Sequence, residues 1–126
     1  MEQRYLIDTN VIIDNFGNKL TEKGKMLLYS VDVIISAVTK IELLGWMNAT
    51  EMQLLPLYAF IDIATILPID DAVIEKTITI RQTKKIALGD AIISATALVH
   101  NLTIISRNTS DFKNIDNLMV VNPYED

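Results

Sequence analysis

The sequence contains no cysteine, and this absence excludes two kinds of protein. Disulfide bonds cannot form, so the chain is not a small scaffold stapled by disulfides. Thiolate ligands are missing as well, which excludes structural zinc sites of the zinc-finger type. A chain without cysteine is compatible with a reducing compartment, and we expect this protein to work in the cytoplasm.

Long apolar runs and linkers are also missing. No apolar stretch approaches the roughly 18 to 20 residues needed to span a bilayer, and the segment MEQRYLIDTN lacks the basic start and apolar region of a secretory signal. Glycine and proline are scarce, with 4 and 3 residues in a chain of 126, and no repeat or low-complexity tract is visible. We therefore expect one domain over residues 1–126, without a membrane-spanning segment.

Basic residues are outnumbered by acidic residues, 11 to 16, which gives a net charge of −5. This balance disfavours a protein that binds nucleic acid through a broad basic surface. It does not exclude nucleic-acid chemistry, because divalent cations held by clustered acids reverse the charge locally. Nucleophilic catalysis has no clear candidate, since the sequence has one histidine, His100, and no Gly-x-Ser-x-Gly elbow.

What the chain does contain is an alternation of short apolar strands and helical stretches, which is typical of an α/β fold with a parallel sheet. The predicted strands cover residues 5–7, 33–36, 63–67, 102–105 and 119–121. The predicted helices cover residues 11–16, 21–29, 40–47, 51–61, 71–83 and 89–100. The last helix is apolar nearly all round, so we place it in the interior.

Four carboxylates occupy similar places in this pattern. Asp8 ends the first strand, Glu42 lies in the first turn of the helix after VIISAVT, Asp90 opens the buried helix, and Asp111 follows the strand LTIIS. Because the carboxyl ends of parallel strands meet at one edge of a sheet, we expect these side chains to converge. Taken alone, Asp90 can also be explained as a residue that caps its helix.

Converging carboxylates repel one another until a cation compensates their charge. The candidate ligands here are all oxygen atoms, a set that suits Mg²⁺ or Mn²⁺ rather than a structural Zn²⁺. Such an ion polarises a phosphate and lowers the pKa of bound water. The chemistry that this arrangement favours is the hydrolysis of phosphodiester bonds.

Four segments, LIDTNVII, VTKIELLG, LGDAIISATA and SRNTSDF, resemble in this order the four motifs of the PIN domain family, and most of all its VapC-like toxins. The resemblance implies a metal-dependent ribonuclease with a three-layer α/β fold, in which helices flank a central parallel sheet of about five strands. It implies that four residues form the catalytic metal site: Asp8, Glu42, Asp90 and Asp111. It also implies a set of polar neighbours that orient ligands, water or the scissile phosphate: Thr9, Asn10, Ser106 and Asn108.

Two points stay open beside this resemblance. From the residues alone, Thr9 and Asn10 can instead cap the helix that follows them. Gly89 stands where many members of the family carry proline before the third acid, a departure that bears on how the helix begins more than on the chemistry.

The resemblance also implies two protein partners, a second copy of the chain and a small antitoxin. The apolar segment 43–61 can supply a surface for them or can belong to the core. Three basic residues near the acids are candidate contacts for RNA phosphates: Arg107, Lys113 and Lys40. The remaining acids, Asp14 and Asp116 among them, are interpreted as solvated, capping or turn residues.

Two other functions compete with the ribonuclease. A receiver-like signalling domain also gathers acids at strand ends to bind Mg²⁺, but this sequence lacks an adjacent acid pair after the first strand and a lysine after the last. A catalytically silent PIN-like interaction module is the second alternative.

Overall fold

The computed structural model of the chain describes residues 3–124, in which short strands alternate with helices. The strands are β1 (Tyr5–Ile7), β2 (Ile34–Ser36), β3 (Thr65–Leu67), β4 (Thr103–Ile105) and β5 (Val120–Val121). The helices are α1 (Thr9–Phe16), α2 (Glu22–Ser30), α3 (Ala37–Leu44), α4 (Glu51–Ile63), α5 (Asp71–Thr83), α6 (Leu88–His100) and α7 (Thr109–Phe112).

All strand pairs are parallel, which confirms the predicted α/β class. Hydrogen bonds join β1, β4 and β5 into one sheet of three strands, while β2 and β3 form a separate ladder. The expectation of one continuous sheet of about five strands is therefore wrong, although β1 and β2 lie side by side. The strands contain only two or three residues each, so the sheet is a small platform between the helices.

The core lies on both faces of this platform. Neighbouring residues of a strand point to opposite faces, and Leu6 and Ile7 accordingly belong to two different apolar clusters. Ile104 and Ile105 on β4 divide in the same way. One cluster is completed by helices α5, α6 and α7, and the other by helices α1 to α4. The three layers expected from the resemblance are thus present.

Helix α6 occupies the interior, as its apolar sequence predicted. Its buried residues are Ala91, Ile93, Ser94, Ala95, Thr96 and Ala97. Two hydroxyls within this stretch donate to carbonyl oxygens one turn back, Ser94 to Asp90 and Thr96 to Ile92, so their burial leaves no unpaired polar atom. The helix ends at Asn101, whose backbone is left-handed with φ 56°.

Several element boundaries differ from the prediction. Helix α1 begins at Thr9, directly after β1, and helix α3 begins at Ala37 rather than at Lys40. The early start of α3 has a local cause, because Ser36 is its N-cap and accepts a hydrogen bond from the Val38 N–H at 3.1 Å. Helix α7 was not predicted at all. Across residues 3–124, no helix combines the length and apolar character that crossing a membrane requires.

Candidate active site

The candidate site is built around the ends of β1 and β4, which pair in parallel with Ile7 opposite Ile105. The residues that follow, Asp8 and Ser106, are therefore neighbours. The Ser106 hydroxyl donates to Asp8 Oδ2 at 2.7 Å and accepts a bond from the Asn108 N–H at 2.9 Å. Asp8 is only 2% exposed, so this hydroxyl is one of the few groups that compensate its charge.

Two further hydroxyl groups, those of Thr39 and Thr9, are connected in series to the carboxylate of Glu42. Thr9 Oγ1 lies 2.7 Å from Glu42 Oε1 and 3.0 Å from Thr39 Oγ1. A threonine hydroxyl carries one proton, and the shorter bond to an ionised acceptor takes it. Thr39 therefore donates to Thr9, and Thr9 donates to Glu42. The capping alternative for Thr9 is wrong, because Asp8 holds the N-cap position of α1.

Glu42 lies in the second turn of α3 and not in the first, since that helix begins earlier than predicted. Its carboxylate reaches over the first turn of α6, where a Cβ atom built on Gly89 would lie 3.1 Å from Glu42 Oε2. The glycine at this position therefore leaves room for Glu42 beside the residue that follows, Asp90. The unpaired N–H groups of a first helical turn also favour a nearby negative charge.

Asp90 is the third residue of α6 and is partly buried. The capping explanation does not hold, because Ala87 is the N-cap and no side chain bonds to the helix start. Burial raises the pKa of Asp90 to about 6, and the charges of Asp8, Asp111 and Glu42 add to the rise. Asp111 itself is exposed on α7. The charges of the other three acids thus act on Asp90.

Burial also raises the pKa of Asp8. The hydrogen bonds from Ser106 and from the Thr9 N–H oppose this rise, the charge of Glu42 adds to it, and the charge of Arg107 opposes it. A buried acid beside a second acid is an unfavourable arrangement for the isolated chain. Buried acids with raised pKa values are commonly found at sites that bind a cation or catalyse a reaction.

The chemistry of the candidate ligand atoms suits a divalent ion. The four candidates offer carboxylate oxygens alone, which matches Mg²⁺ or Mn²⁺, and their mutual repulsion is what such an ion relieves. Within residues 3–124, however, no three histidine, cysteine or acidic side chains stand close enough to form a ready ligand group. The donor chemistry fits the ion, and the side chains have to draw together to hold it.

Replacing Asp90 with asparagine is expected to stabilise the metal-free protein at neutral pH. The folded pKa of about 6 lies above the ordinary value of 3.8, so the folded state binds the proton more tightly. The stability contributed by that proton is complete below about pH 4 and is lost as the pH rises through about 6. Near pH 7 the variant should melt roughly 2 to 4 °C higher than the parent, measured by thermal unfolding in EDTA.

The same comparison at a pH well below 3.8 provides the control, because Asp90 is then largely protonated and neutral in both the folded and the unfolded state. The two melting temperatures should coincide there within error. An equal difference at both pH values would show that packing, and not the removed charge, causes the effect.

The other candidates lie around this centre. Asn10 is half-buried in the first turn of α1, and Asn108 is the N-cap of α7. The side chains of Lys40 and Lys113 are exposed. Arg107 does not point freely into solvent, because its Nη1 donates to Asp14 Oδ2 at 2.9 Å.

Two residues of this neighbourhood were missed in the sequence. Asp14 was interpreted as a solvated acid, but it is buried, 3% exposed, and its interpretation as solvated is wrong. Its position three residues after the buried Val11 places it on the core side of α1, a signal that the sequence did contain. Thr39 was not singled out, although it lies three residues before Glu42 on the same face of α3.

Comparison with known proteins decides the family. The model of the PIN domain matches residues 5–118, which is most of the chain and includes all four acids. The chain belongs to the PIN domain family. It is 35% identical to Toxin FitB of Neisseria gonorrhoeae, in an alignment that covers 96% of this PIN domain and 99% of FitB.

Solved structures agree with this assignment. A toxin-antitoxin complex from Klebsiella pneumoniae contains a chain that is 34% identical, with a TM-score of 0.78 over 97% of this chain and 99% of that one. FitAcB from Neisseria gonorrhoeae matches at 31% identity and a TM-score of 0.81, over 96% and 99% of the two chains. VapBC-1 of nontypeable Haemophilus influenzae shares the fold at 20% identity, with a TM-score of 0.82 over 98% and 100%.

Proposed function

We propose that this PIN domain is a metal-dependent endoribonuclease that works in the cytoplasm as the toxin of a VapBC-type pair and inhibits translation by cutting RNA. The observation that carries the proposal is the pair of hydroxyl contacts that hold two of the four acids, Ser106 on Asp8 at 2.7 Å and Thr9 on Glu42 at 2.7 Å. The raised pKa of Asp90, to which the charges of the other three acids contribute, supports it. The likeness to Toxin FitB over nearly the whole of both chains supports the toxin assignment. The family match removes the receiver-like alternative.

In this proposal the carboxylates of the candidate site hold Mg²⁺ or Mn²⁺: Asp8, Glu42, Asp90 and Asp111. When bound, the ion polarises the scissile phosphate and activates water, so that cleavage leaves a 5′-phosphate. The chain's own hydroxyls keep the ligands in orientation, since Ser106 fixes Asp8 and Thr9 fixes Glu42. Asn10 and Asn108 are the remaining polar side chains that would surround the RNA phosphate.

Binding of RNA by an acidic protein needs local positive charge. Lys40 is exposed on α3, the helix that carries Glu42, and Lys113 is exposed directly after α7, the helix that carries Asp111. Arg107 follows Ser106 directly, and its charge acts on Asp8. We assign these three side chains to phosphates of the RNA strand on either side of the cut.

We assign the antitoxin to a groove beside Glu42. A groove of about 520 Å³ runs from Glu42 along α1, α3 and α4, and its walls include exposed apolar side chains such as Phe16 and Trp46. Apolar surface that opens onto an acidic centre suits a partner with an apolar segment and a basic side chain. The outer face of α4, with Met52 and Leu55 exposed, is left for a second copy of the chain.

The test is cleavage of total cellular RNA by the purified chain, with Mn²⁺ or Mg²⁺ and beside EDTA. We expect fragments with metal, none with EDTA, and none from an Asp90→Asn variant, which keeps the size of the side chain but removes its charge. Mapping the fragment ends should show 5′-phosphates.

One result would overturn the proposal: a parent protein that is inert with either metal after any co-purifying antitoxin has been removed by unfolding and refolding. The silent interaction module would then be the remaining function. Circular dichroism of the refolded protein serves as the control that it has regained its structure.

A further inference from the structure

A buried carboxylate outside the four acids joins three distant parts of the chain. Asp14, on the core side of α1, accepts hydrogen bonds on the same oxygen, Oδ2, from Arg107 and from the hydroxyl of Tyr124. The three residues come from α1, from the loop after β4 and from the segment after β5. None of these contacts is used by the proposed metal site.

Tyr124 is itself held in place by its surroundings. Its backbone N–H donates to Asn122 Oδ1 at 2.8 Å, and the preceding carbonyl, that of Pro123, accepts from Thr21 Oγ1 at 3.2 Å. Helix α2 packs so closely on this segment that a Cβ atom at Gly24 would clash with the Pro123 oxygen. Burial and the bond to Asp14 raise the pKa of Tyr124, so its proton stays on the hydroxyl and is donated.

Arg107 differs from an ordinary surface arginine. Its side chain is 47% exposed, yet one guanidinium nitrogen is fixed on a carboxylate that is only 4% exposed. A guanidinium carries five N–H donors in a rigid fork, so a bond through one nitrogen leaves donors for another oxygen ligand. Its neighbour in the chain, Ser106, bonds Asp8, which sets the guanidinium beside the acidic centre.

We propose that Asp14, together with Tyr124, holds the Arg107 guanidinium in position to bind an RNA phosphate beside the acids. The proposal rests on the proposed function and adds Asp14 and Tyr124 as positioning residues. Fixing a long side chain before the RNA arrives lowers the entropy lost on binding, and this gain is absent for a freely moving arginine. Charge-assisted bonds from a planar fork also orient a phosphate better than a lysine does.

A purely structural ion pair is the competing explanation, and a double-mutant cycle separates the two. The four proteins are the parent, Asp14→Asn, Arg107→Gln and the double variant. Their affinity for a short fluorescein-labelled single-stranded RNA of mixed sequence is measured by anisotropy with Mn²⁺, in an Asp90→Asn background that keeps the RNA intact. Initial rates of cleavage are measured in parallel with Asp90 present.

We expect Arg107→Gln to weaken RNA affinity roughly tenfold and Asp14→Asn to weaken it severalfold. The double variant should be no weaker than Arg107→Gln alone, because Asp14 acts through Arg107. Tyr124→Phe, which removes only the hydroxyl, should weaken affinity in the same direction by a smaller factor. Arg81→Gln is the matched control, since it removes an exposed arginine on α5, and it should leave the affinity within twofold of the parent.

The inference is overturned if Asp14→Asn leaves RNA affinity unchanged while lowering the melting temperature, or if the two losses multiply in the double variant. Lack of measurable RNA binding by the Asp90→Asn protein overturns it as well. Failure of the proposed function looks different: cleavage is then absent from every protein, while the pattern of affinities still holds.

Discussion

Asp8→Asn is expected to remove RNA cleavage while leaving the fold at least as stable as before. Asparagine has the same size, and its carbonyl oxygen can still accept the Ser106 hydroxyl, which now lies 2.7 Å from Asp8 Oδ2. What disappears is a negative charge at a site only 2% exposed. That charge is unfavourable for folding, and in the proposed function it would bind a divalent ion. The loss of rate should exceed the roughly 10- to 100-fold that groups bonded to a metal ligand contribute.

Two companion variants make this prediction specific. Ser106→Ala keeps the carboxylate but removes the hydroxyl that orients it, and its rate should fall by roughly 10- to 100-fold. Asp116→Asn makes the same chemical change as Asp8→Asn at an exposed acid a few residues after Asp111, and its rate should stay that of the parent. Initial rates on total RNA and melting temperatures are recorded for all three. An Asp8→Asn protein that retains a tenth of the parent rate would contradict the assignment.

The strands and the four acids could be predicted because each carries a strong local signal. Short runs rich in isoleucine, leucine and valine are buried on both faces of a parallel sheet, and all five predicted strands overlap observed ones. Because the strands are parallel, a carboxylate that follows a strand lies at the same edge as the others. This rule predicted that Asp8, Glu42, Asp90 and Asp111 lie at one edge of the sheet, and in the structure the charges of the other three acids act on Asp90.

What the sequence did not show depends on contacts between distant residues. The separation of β2 and β3 from the sheet of β1 depends on the distance between β1 and β2, and no local sequence pattern predicts that distance. Helix α7 has four residues, too few for a periodic signal. The partners of the buried Asp14 lie 93 and 110 residues away in the chain, Arg107 and Tyr124, and neither contact is visible in the sequence. A lone acid on a short helix is ordinarily solvated, and the tertiary partners override that expectation here.

Helix α7 carries Asp111, and its position depends on the buried aromatic residue Phe112. A helix of four residues is not stable by itself, so its place has to be set by packing. Phe112 is the last residue of α7, is 0% exposed and belongs to the same apolar cluster as Leu6 and Ile104 of the sheet. It stands directly after Asp111. The side chain of Phe112 therefore anchors the segment that carries Asp111 against the sheet.

Phe112→Ala is accordingly expected to lower the free energy of unfolding by roughly 3 to 5 kcal/mol, since it leaves a cavity in the core. Such a loss is a large part of the stability of a small domain, and urea denaturation measures it. Phe16→Ala is the matched control, because it makes the same change at a ring that is 42% exposed and meets Phe60 edge-on at 5.8 Å. Its loss should be nearer 1 kcal/mol.

The two variants should also differ in their rates of RNA cleavage. Under conditions where both remain folded, Phe112→Ala should also lose cleavage, because the helix that carries Asp111 is no longer fixed against the sheet. Phe16→Ala should keep the parent rate, because the ring of Phe16 packs on Phe60 and not beneath a segment that carries an acid. If Phe112→Ala costs no more stability than Phe16→Ala, packing does not hold α7. The position of Asp111 would then have to come from its backbone bond to the Asn108 carbonyl, at 3.1 Å, and from the ion itself.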